Sequence, residues 1–554
     1  MRFLTLITVL LPCLCGAADD QLISAPRFPA PGYFRKHFAT PLPRIEMQPP
    51  VRLQDFVADA KLELSLRNYI ELVLANNTDI HIQRLSIELQ RNAITRAFGV
   101  FDPVVLATFR NTRSITPSQD VLAGASTLNQ LSQPLNFSYQ QTLESGTLYN
   151  VGFSGQKLSS NNTFATFNPA LSANINFSFT QPLLRNRGSY VTRLPILVAR
   201  SRLRSGEYNL QDQLMRLLQF SENAYWSLVE AREALKVQEQ GLALADAFLK
   251  RAQREVELGA TSPLDIFQPQ QNYANQEIFV TQARYRLGQA EDTLRRQIGA
   301  DLDPVMRNMP ILPTETVLPP VDDSAIDREM VVELAYRKRP DLKAILQNLD
   351  VDDLNIRQAK NTLLPDLGLT GTYTSTGRGG PFVQRTNVFG LDGTRGSIVR
   401  TLPGGLGDAL GQVFGLDFPI YGFSLSLRLP LRDRRAAADL ADATVNKRLN
   451  TLRARNVEQT IRLDVLNAVN QVENSRASVR LAQVSVDFSQ KRVDAEQKKY
   501  DLGVTTIFFL LDAQNTLTRA QADLVTQSAQ YRRNLLNLTR VTGELLEERG
   551  VTVQ

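Results

Sequence analysis

The stretch LMRLLQFSENAYWSLVEAREALKVQEQGLALADAFLKRAQREVELG, residues 214–259, decides the fold. Alternate steps of three and four residues from Leu214 meet Leu217, Ser221, Ala224, Leu228, Ala231, Leu235, Gln238, Leu242, Ala245, Leu249, Ala252, Val256 and Gly259. Such spacing is a heptad seam, the mark of a helix that packs against another along its whole length. Alanine and serine alternating with larger residues let two helix axes approach closely, so a tight antiparallel hairpin is predicted. From Gly206 to Gly259 the rise is roughly 80 Å, far more than a globular core requires. Adding 244 to Leu217 lands on Ile461, and the same steps then meet Val465, Ala468, Val472, Ser475, Val479, Ala482, Val486, Ser489, Val493, Glu496, Tyr500 and Gly503.

Both seams end at comparable turns, LGATSPLDIF (258–267) and LGVTTIFFLL (502–511). Gly259 and Gly503 are the expected helix terminators, Ser262 a cap, Pro263 a first helical residue, and Asp265 a carboxylate that complements the helix dipole. Residues 70–109 align without a gap on residues 332–371, pairing Ile70-Glu71-Leu72 with Val332-Glu333-Leu334 and Pro103 with Pro365. The chain therefore reads as two tandem repeats of helix, strands and long helical hairpin. The boundaries are a leader at 1–18, a proline-rich arm at 19–60, a first repeat at 61–300 with its tip near 259–265, a linker at 301–329, a second repeat at 330–543 with its tip near 503–509, and a tail at 544–554.

The leader has Arg2, an apolar run from Phe3 to Leu14 and small residues before Asp19, which is the pattern of a secretory signal peptide. Neither Cys13 nor Cys15 follows a small residue, as lipid attachment would require. Both cysteines fall in the leader, so the remaining chain has no disulfide and no thiolate site. That remaining chain carries 61 Lys+Arg against 56 Asp+Glu, an excess too thin to argue for nucleic acid. No downstream stretch approaches the ~18 apolar residues of a spanning helix, so a membrane form of this chain must be a barrel.

Strand signals sit between the first helix and the rods of each repeat. Asn174–Thr180 and Phe423–Leu429 alternate strictly, and weaker alternation runs through Phe137–Gln140, Tyr149–Ser154 and Leu367–Tyr373. Residues 376–417, with TGRGGPF and LPGGLGDALGQVFG, read as a long glycine-rich surface loop. An antiparallel sheet with one wet face fits this pattern, and so does a lipid-facing wall with small polar residues inside. Four to six strands cannot close a spanning barrel, which needs about eight, so in lipid several chains must share one. The first repeat is longer between its prolines, 79 steps from Pro103 to Pro182 against 65 from Pro365 to Pro430, and alternation at 135–157 around Glu144-Ser145-Gly146 suggests an extra hairpin.

The doubled plan, LLPDLGLTGTY (363–373) and YDLGVTTIFFLLDAQNTL (500–517) together resemble the TolC-like outer-membrane efflux protein family over about residues 62–543. The resemblance implies a homotrimer in which each chain lends four strands to one twelve-stranded barrel in outer-membrane lipid, above a coiled-coil tube through the periplasm. It also implies a periplasmic adaptor docked on the hairpin tips beside Gly259 and Gly503, and an inner-membrane transporter behind it. Asp512 matches a gate aspartate, three copies of which would ring the axis and favour cations. A second gate aspartate is replaced by Phe509, which with Phe508 gives a partly hydrophobic constriction. Tyr500 and Asp265 match positions that latch neighbouring hairpins, while Thr505 stands where the latch arginine is expected.

An enzyme is the first rival. GRGGP (377–381) and GGLGDALG (404–411) neither follow a strand nor open a lysine-bearing helix, so both read as loop. His37 and His81 lack paired ligand spacing, and no catalytic constellation, metal site or cofactor is expected. The second rival, a soluble periplasmic coiled-coil scaffold or adaptor, explains the heptads but not strands at matching points of both repeats.

Overall fold

The computed structural model describes residues 51, 53–58, 61–118, 124–259, 262–317, 326–386 and 397–551. The chain divides into two units, Met1–Arg52 and Leu53–Gln554, and the elements of the fold belong to the second. The leader, His37, most of the arm, residues 318–325 of the linker and 387–396 of the glycine-rich segment lie outside the described residues.

Each repeat opens on a bent helix pair, α1 (Leu66–Asn76) with α2 (Thr78–Phe98), and α5 (Arg328–Lys338) with α6 (Pro340–Thr362). The bends have local causes. Asn77 ends α1 and starts α2: its Oδ1 accepts from the Asp79 N–H at 2.9 Å, while its Nδ2 donates to the Gln297 carbonyl at 3.1 Å. In the second repeat Pro340, unable to continue α5, becomes the first residue of α6.

The rods are α3 (Leu194–Glu257) and α8 (Arg434–Asp501), of 64 and 68 residues, which gives lengths near 96 and 102 Å at ~1.5 Å per residue. Each turns back at its tip into a shorter helix, α4 (Phe267–Gln297) and α9 (Ile507–Thr542). Of the α8 seam, Ile461, Val465, Ala468, Val472, Ser475, Val479 and Ser489 are buried. Ile461, Val465 and Val469 pack with Val332 and Ala335 of α5, Leu342 of α6 and Val541 of α9. On α3 the buried set reaches beyond one seam, to Met215, Leu218 and Phe248, because α3 also meets α2, α6 and α9. Among the described residues no helix is long and apolar enough to cross a membrane.

Halfway along the rods lies a girdle drawn from segments that the sequence reading divides among the arm, the start of the first repeat, the linker and the tail. β1 (Val57–Ala58), β2 (Lys61–Leu64) and β8 (Ile311–Pro313) form a small sheet, with β8 parallel to β2. Glu315, just after β8, accepts from the Leu66 N–H at 2.8 Å and from the Tyr225 hydroxyl. Beneath the four-residue helix Leu545–Glu548, the wholly buried carboxylate of Glu222 receives Arg549 through two bonds of 2.7 and 3.0 Å. His81 is held within the fold, with Nε2 2.8 Å from the Ala75 carbonyl.

The large sheet comprises β3 (Val104–Phe109), β4 (Thr112–Pro117), β5 (Thr127–Thr142), β6 (Leu148–Ser160), β7 (Ala170–Pro182), β9 (Asp366–Gly379) and β12 (Pro419–Arg428), in the order β12-β9-β7-β6-β5-β3, with β4 also on β5. β3 and β4 are one strand interrupted once. Both pair with β5 in a single register, and at the break the Arg110 N–H donates to the Pro134 carbonyl, 3.0 Å, while proline has no N–H to return. The chain thus sets six strands side by side, two more than the resemblance implies. The extra pair is the β5–β6 hairpin around Glu144-Ser145-Gly146, inserted between β3–β4 and β7.

The glycine-rich segment is not the long loop expected from its composition. β9 runs on to Gly379, β10 (Phe382–Arg385) pairs with β11 (Ile398–Leu402), and Leu406–Gly415 form a helix, α7. Leu406, Ala409, Leu410 and Val413 recur at helical spacing, and Asp408 secures the start by accepting from the Gly405 N–H at 2.8 Å. Ala409 and Val413 bury against Ala173, beside Phe153 and Ile175. Glycine on β9 permits this approach: a Cβ at Gly377 would overlap the Ala409 carbonyl.

Candidate gate and docking tips

The two hairpin tips are built alike. Gly259 and Gly503 both have φ of +72°, the left-handed conformation that ends a helix with little strain only at glycine. Immediately before each stands a leucine turned to solvent, Leu258 at 83% and Leu502 at 79% exposure. Leu264, Phe267 and Val504 extend the apolar surface of the tips. Asp265 sits in the short 3-10 turn Pro263–Ile266, started by the Ser262 hydroxyl accepting from the Leu264 N–H. Its carboxylate is exposed and makes no ion pair among the described residues. Thr505 lies in the second turn, directly before Thr506, the residue that leads into α9.

Tyr500 packs against α3 of the first hairpin. Its hydroxyl donates to Glu255 Oε2 at 3.1 Å, and the Arg251 guanidinium lies 4.9 Å from its ring centroid. Arg251 also reaches Glu255 at 2.9 Å and Asp501 at 3.4 Å, so one arginine joins the ends of both rods. Burial first, then the neighbouring Glu255 carboxylate, raises the Tyr500 phenol and keeps it a proton donor. Beneath the clasp, Leu510 and Leu511 pack on Phe248, with Tyr500 and Ile507 alongside.

Phe508, Phe509 and Asp512 occupy one exposed face of α9, set by their spacing of three and four residues. The two rings meet edge to face, with centroids 5.4 Å apart and planes at 79°. Asp512 is not a lone anion: Arg492 of α8 donates to its Oδ2 at 2.8 Å. Sequence spacing gives no sign of Arg251, Glu255 or Arg492 at these positions, because their partners belong to neighbouring helices. Glu255 and Tyr500 are 245 residues apart.

Residues 331–544 match the family model for outer membrane efflux proteins. No curated protein matches the sequence significantly. Among solved structures, a membrane protein from Pseudomonas aeruginosa is 18% identical with a TM-score of 0.60, over 90% of this chain and 96% of that one. The Campylobacter jejuni CmeC outer membrane channel is 15% identical with a TM-score of 0.60, over 96% of this chain and 95% of that one. The open state of the Neisseria gonorrhoeae MtrE outer membrane channel is 17% identical with a TM-score of 0.57, over 88% and 91% respectively. At these identities the likeness establishes a shared fold. The family match thus covers the second repeat, and the fold of these solved structures extends over 88–96% of the chain.

Proposed function

We propose that the protein is the outer-membrane exit duct of a tripartite export system, a homotrimer that passively conducts cargo delivered by an inner-membrane transporter through a periplasmic adaptor. The observation that carries this reading is the difference between the two faces of the large sheet. One row of cross-strand partners reads Val105, Tyr139, Val151, Phe177, Tyr373, Tyr421, and the next reads Leu106, Ser138, Gly152, Asn176, Thr374, Ile420. The first face suits hydrocarbon and the second, with its serine, asparagine and threonine, suits a wet lumen. Rods near 100 Å long hang from the same sheet, long enough to carry a conduit across an aqueous compartment.

The apolar tips around Leu258, Leu264, Leu502 and Val504 offer the adaptor a surface. Phe508 and Phe509 narrow the inner mouth, with Asp512 beside them. Because Arg492 offsets each Asp512, the constriction carries little net charge and its cation preference is weak. The test is single-channel recording of purified protein in planar bilayers. Arg492→Ala uncovers Asp512 and is expected to raise cation selectivity and strengthen block by multivalent cations from the tip side, while Asp512→Asn weakens both. Conducting channels with the same selectivity in both variants would remove the gate assignment. Protein that stays soluble without detergent and never conducts favours the scaffold reading instead.

A further inference from the structure

The sheet has two free edges, β12 on one side and β3–β4 on the other. Both present large apolar side chains, Tyr421 and Phe423 at 79% and 83% exposure on β12, Val105 and Phe109 on β3. Unpaired backbone along such an edge is not tolerated in hydrocarbon, where no water replaces the missing partner. The two edges suit each other. They are the outer strands of an antiparallel set of six, so they run in opposite directions, and one copy's β12 meets the next copy's β3–β4 antiparallel. Their faces agree as well: Val105, Ala107 and Phe109 lie on the apolar face of the sheet, as do Tyr421, Phe423 and Leu425.

The hydrogen-bond register tests whether all six strands suit one closed wall. The row that starts at Val104, the first residue of β3, passes through Gln140, Asn150, Ser178 and Thr372 and arrives at Gly422. Arg428, the last residue of β12, lies six residues further on. Copies standing at one height about a common axis are therefore offset by about one residue per strand. With a rise of about 3.3 Å per residue and a strand spacing of about 4.8 Å, that stagger is a tilt of about 35°, within the range at which barrels close. The β5–β6 hairpin is part of this wall, since β5 pairs with both β3–β4 and β6, and β6 pairs with both β5 and β7.

We propose that every copy inserts all six strands into the barrel, β12 of one copy pairing with β3–β4 of the next, so that the three-chain duct has eighteen strands rather than twelve. The lipid setting that demands edge pairing and the number of copies rest on the exit-duct reading; the six strands side by side do not. At the same tilt and spacing the barrel widens from about 22 Å to about 33 Å between opposite strands, which roughly doubles the cross-section of the exit.

Equal-height docking sets Ala107 opposite Leu425 and Thr108 opposite Ser424 across each boundary. The chain's two cysteines, Cys13 and Cys15, are both in the leader, so introduced thiols report cleanly. Full-length A107C/L425C, and separately T108C/S424C on the polar face, are oxidised in outer membranes and run on non-reducing gels. The expected result is a covalent ladder that ends at three chains. An intact oligomer with no ladder from either pair overturns the edge pairing, and a ladder ending at another number overturns eighteen strands. Efficient cross-linking in A107C/F177C overturns the inference too, because β5 and β6 separate those residues unless the hairpin lies outside the wall. Protein found only in the soluble fraction sinks the exit-duct reading itself.

Discussion

Replacing Arg251 by Ala and Tyr500 by Phe together removes the clasp between the ends of the two rods and leaves the hydrophobic tip contacts of Phe248, Leu510 and Leu511 in place. Besides the Arg251–Glu255 pair within α3, three interactions between the rods are lost. The guanidinium 4.9 Å from the Tyr500 ring is partly exposed, a setting in which a cation–π contact contributes about 0.5–1 kcal/mol. The bond of the Tyr500 hydroxyl to a carboxylate that is one-quarter exposed contributes about 1 kcal/mol after solvent screening. The Arg251–Asp501 pair, both members about half exposed, contributes about 0.5 kcal/mol at most. Each copy thus loses about 2 kcal/mol, and in the proposed trimer three copies opening in concert lose about 6, slightly more than the ~5.5 kcal/mol that turns a 1:99 population into 99:1. A duct that rests closed should become mostly open. Single-channel recording of the double variant reads this as long open dwell times, with Tyr500→Phe alone giving a smaller shift because only the hydroxyl bond goes. Dwell times equal to wild type, from an oligomer that is still intact, would falsify the claim that this clasp holds the mouth shut.

Two further outcomes rest on other parts of the molecule. Arg549→Ala strands the buried Glu222 carboxylate, whose affinity for a proton burial already raises and the Arg549 bond holds back. A raised carboxyl stabilises the fold fully below its unfolded value near 4.3 and loses that contribution as pH climbs through the folded value. The variant's destabilisation should therefore be small in acid and reach about 3–5 kcal/mol at neutral pH; equal melting losses at pH 5 and pH 8 would show that charge is not the cause. Gly377→Val drives a side chain into the Ala409 carbonyl and lifts α7 from the sheet. Protease added outside intact cells should then cut near residues 398–418, where wild type resists, and an unchanged digestion pattern would place α7 elsewhere.

The rods were legible because their information is periodic and local: a seam from Leu214 and its echo from Ile461 need no knowledge of any distant residue. The tips were legible for the same reason, since Gly259 and Gly503 answer a backbone requirement set by their own φ. The strictly alternating β7 and β12 could be read, whereas β3 could not. Val104-Val105-Leu106 is apolar on both faces and carries no period of two. α7 was hidden by its glycines, which suggest loop until Gly377 on β9 lets the helix approach the sheet and the burial of Ala409 and Val413 outweighs poor helix propensity.

What the sequence by itself determined is each element whose energy depends on residues a few positions apart: helix seams, caps, hairpin tips and the better strands. Only the tertiary structure decided which elements are neighbours. The pairing of β7 with β9, the placing of the β5–β6 hairpin within the wall, and the partners of Asp512 and Tyr500 all join residues on different elements. Such contacts form only after the chain has paid the entropy of bringing distant segments together, and many orders of packing share the same local patterns. The register that sets the sheet's tilt is chosen among those orders by hydrogen bonds and side-chain fit across strands, which no single segment of the sequence contains.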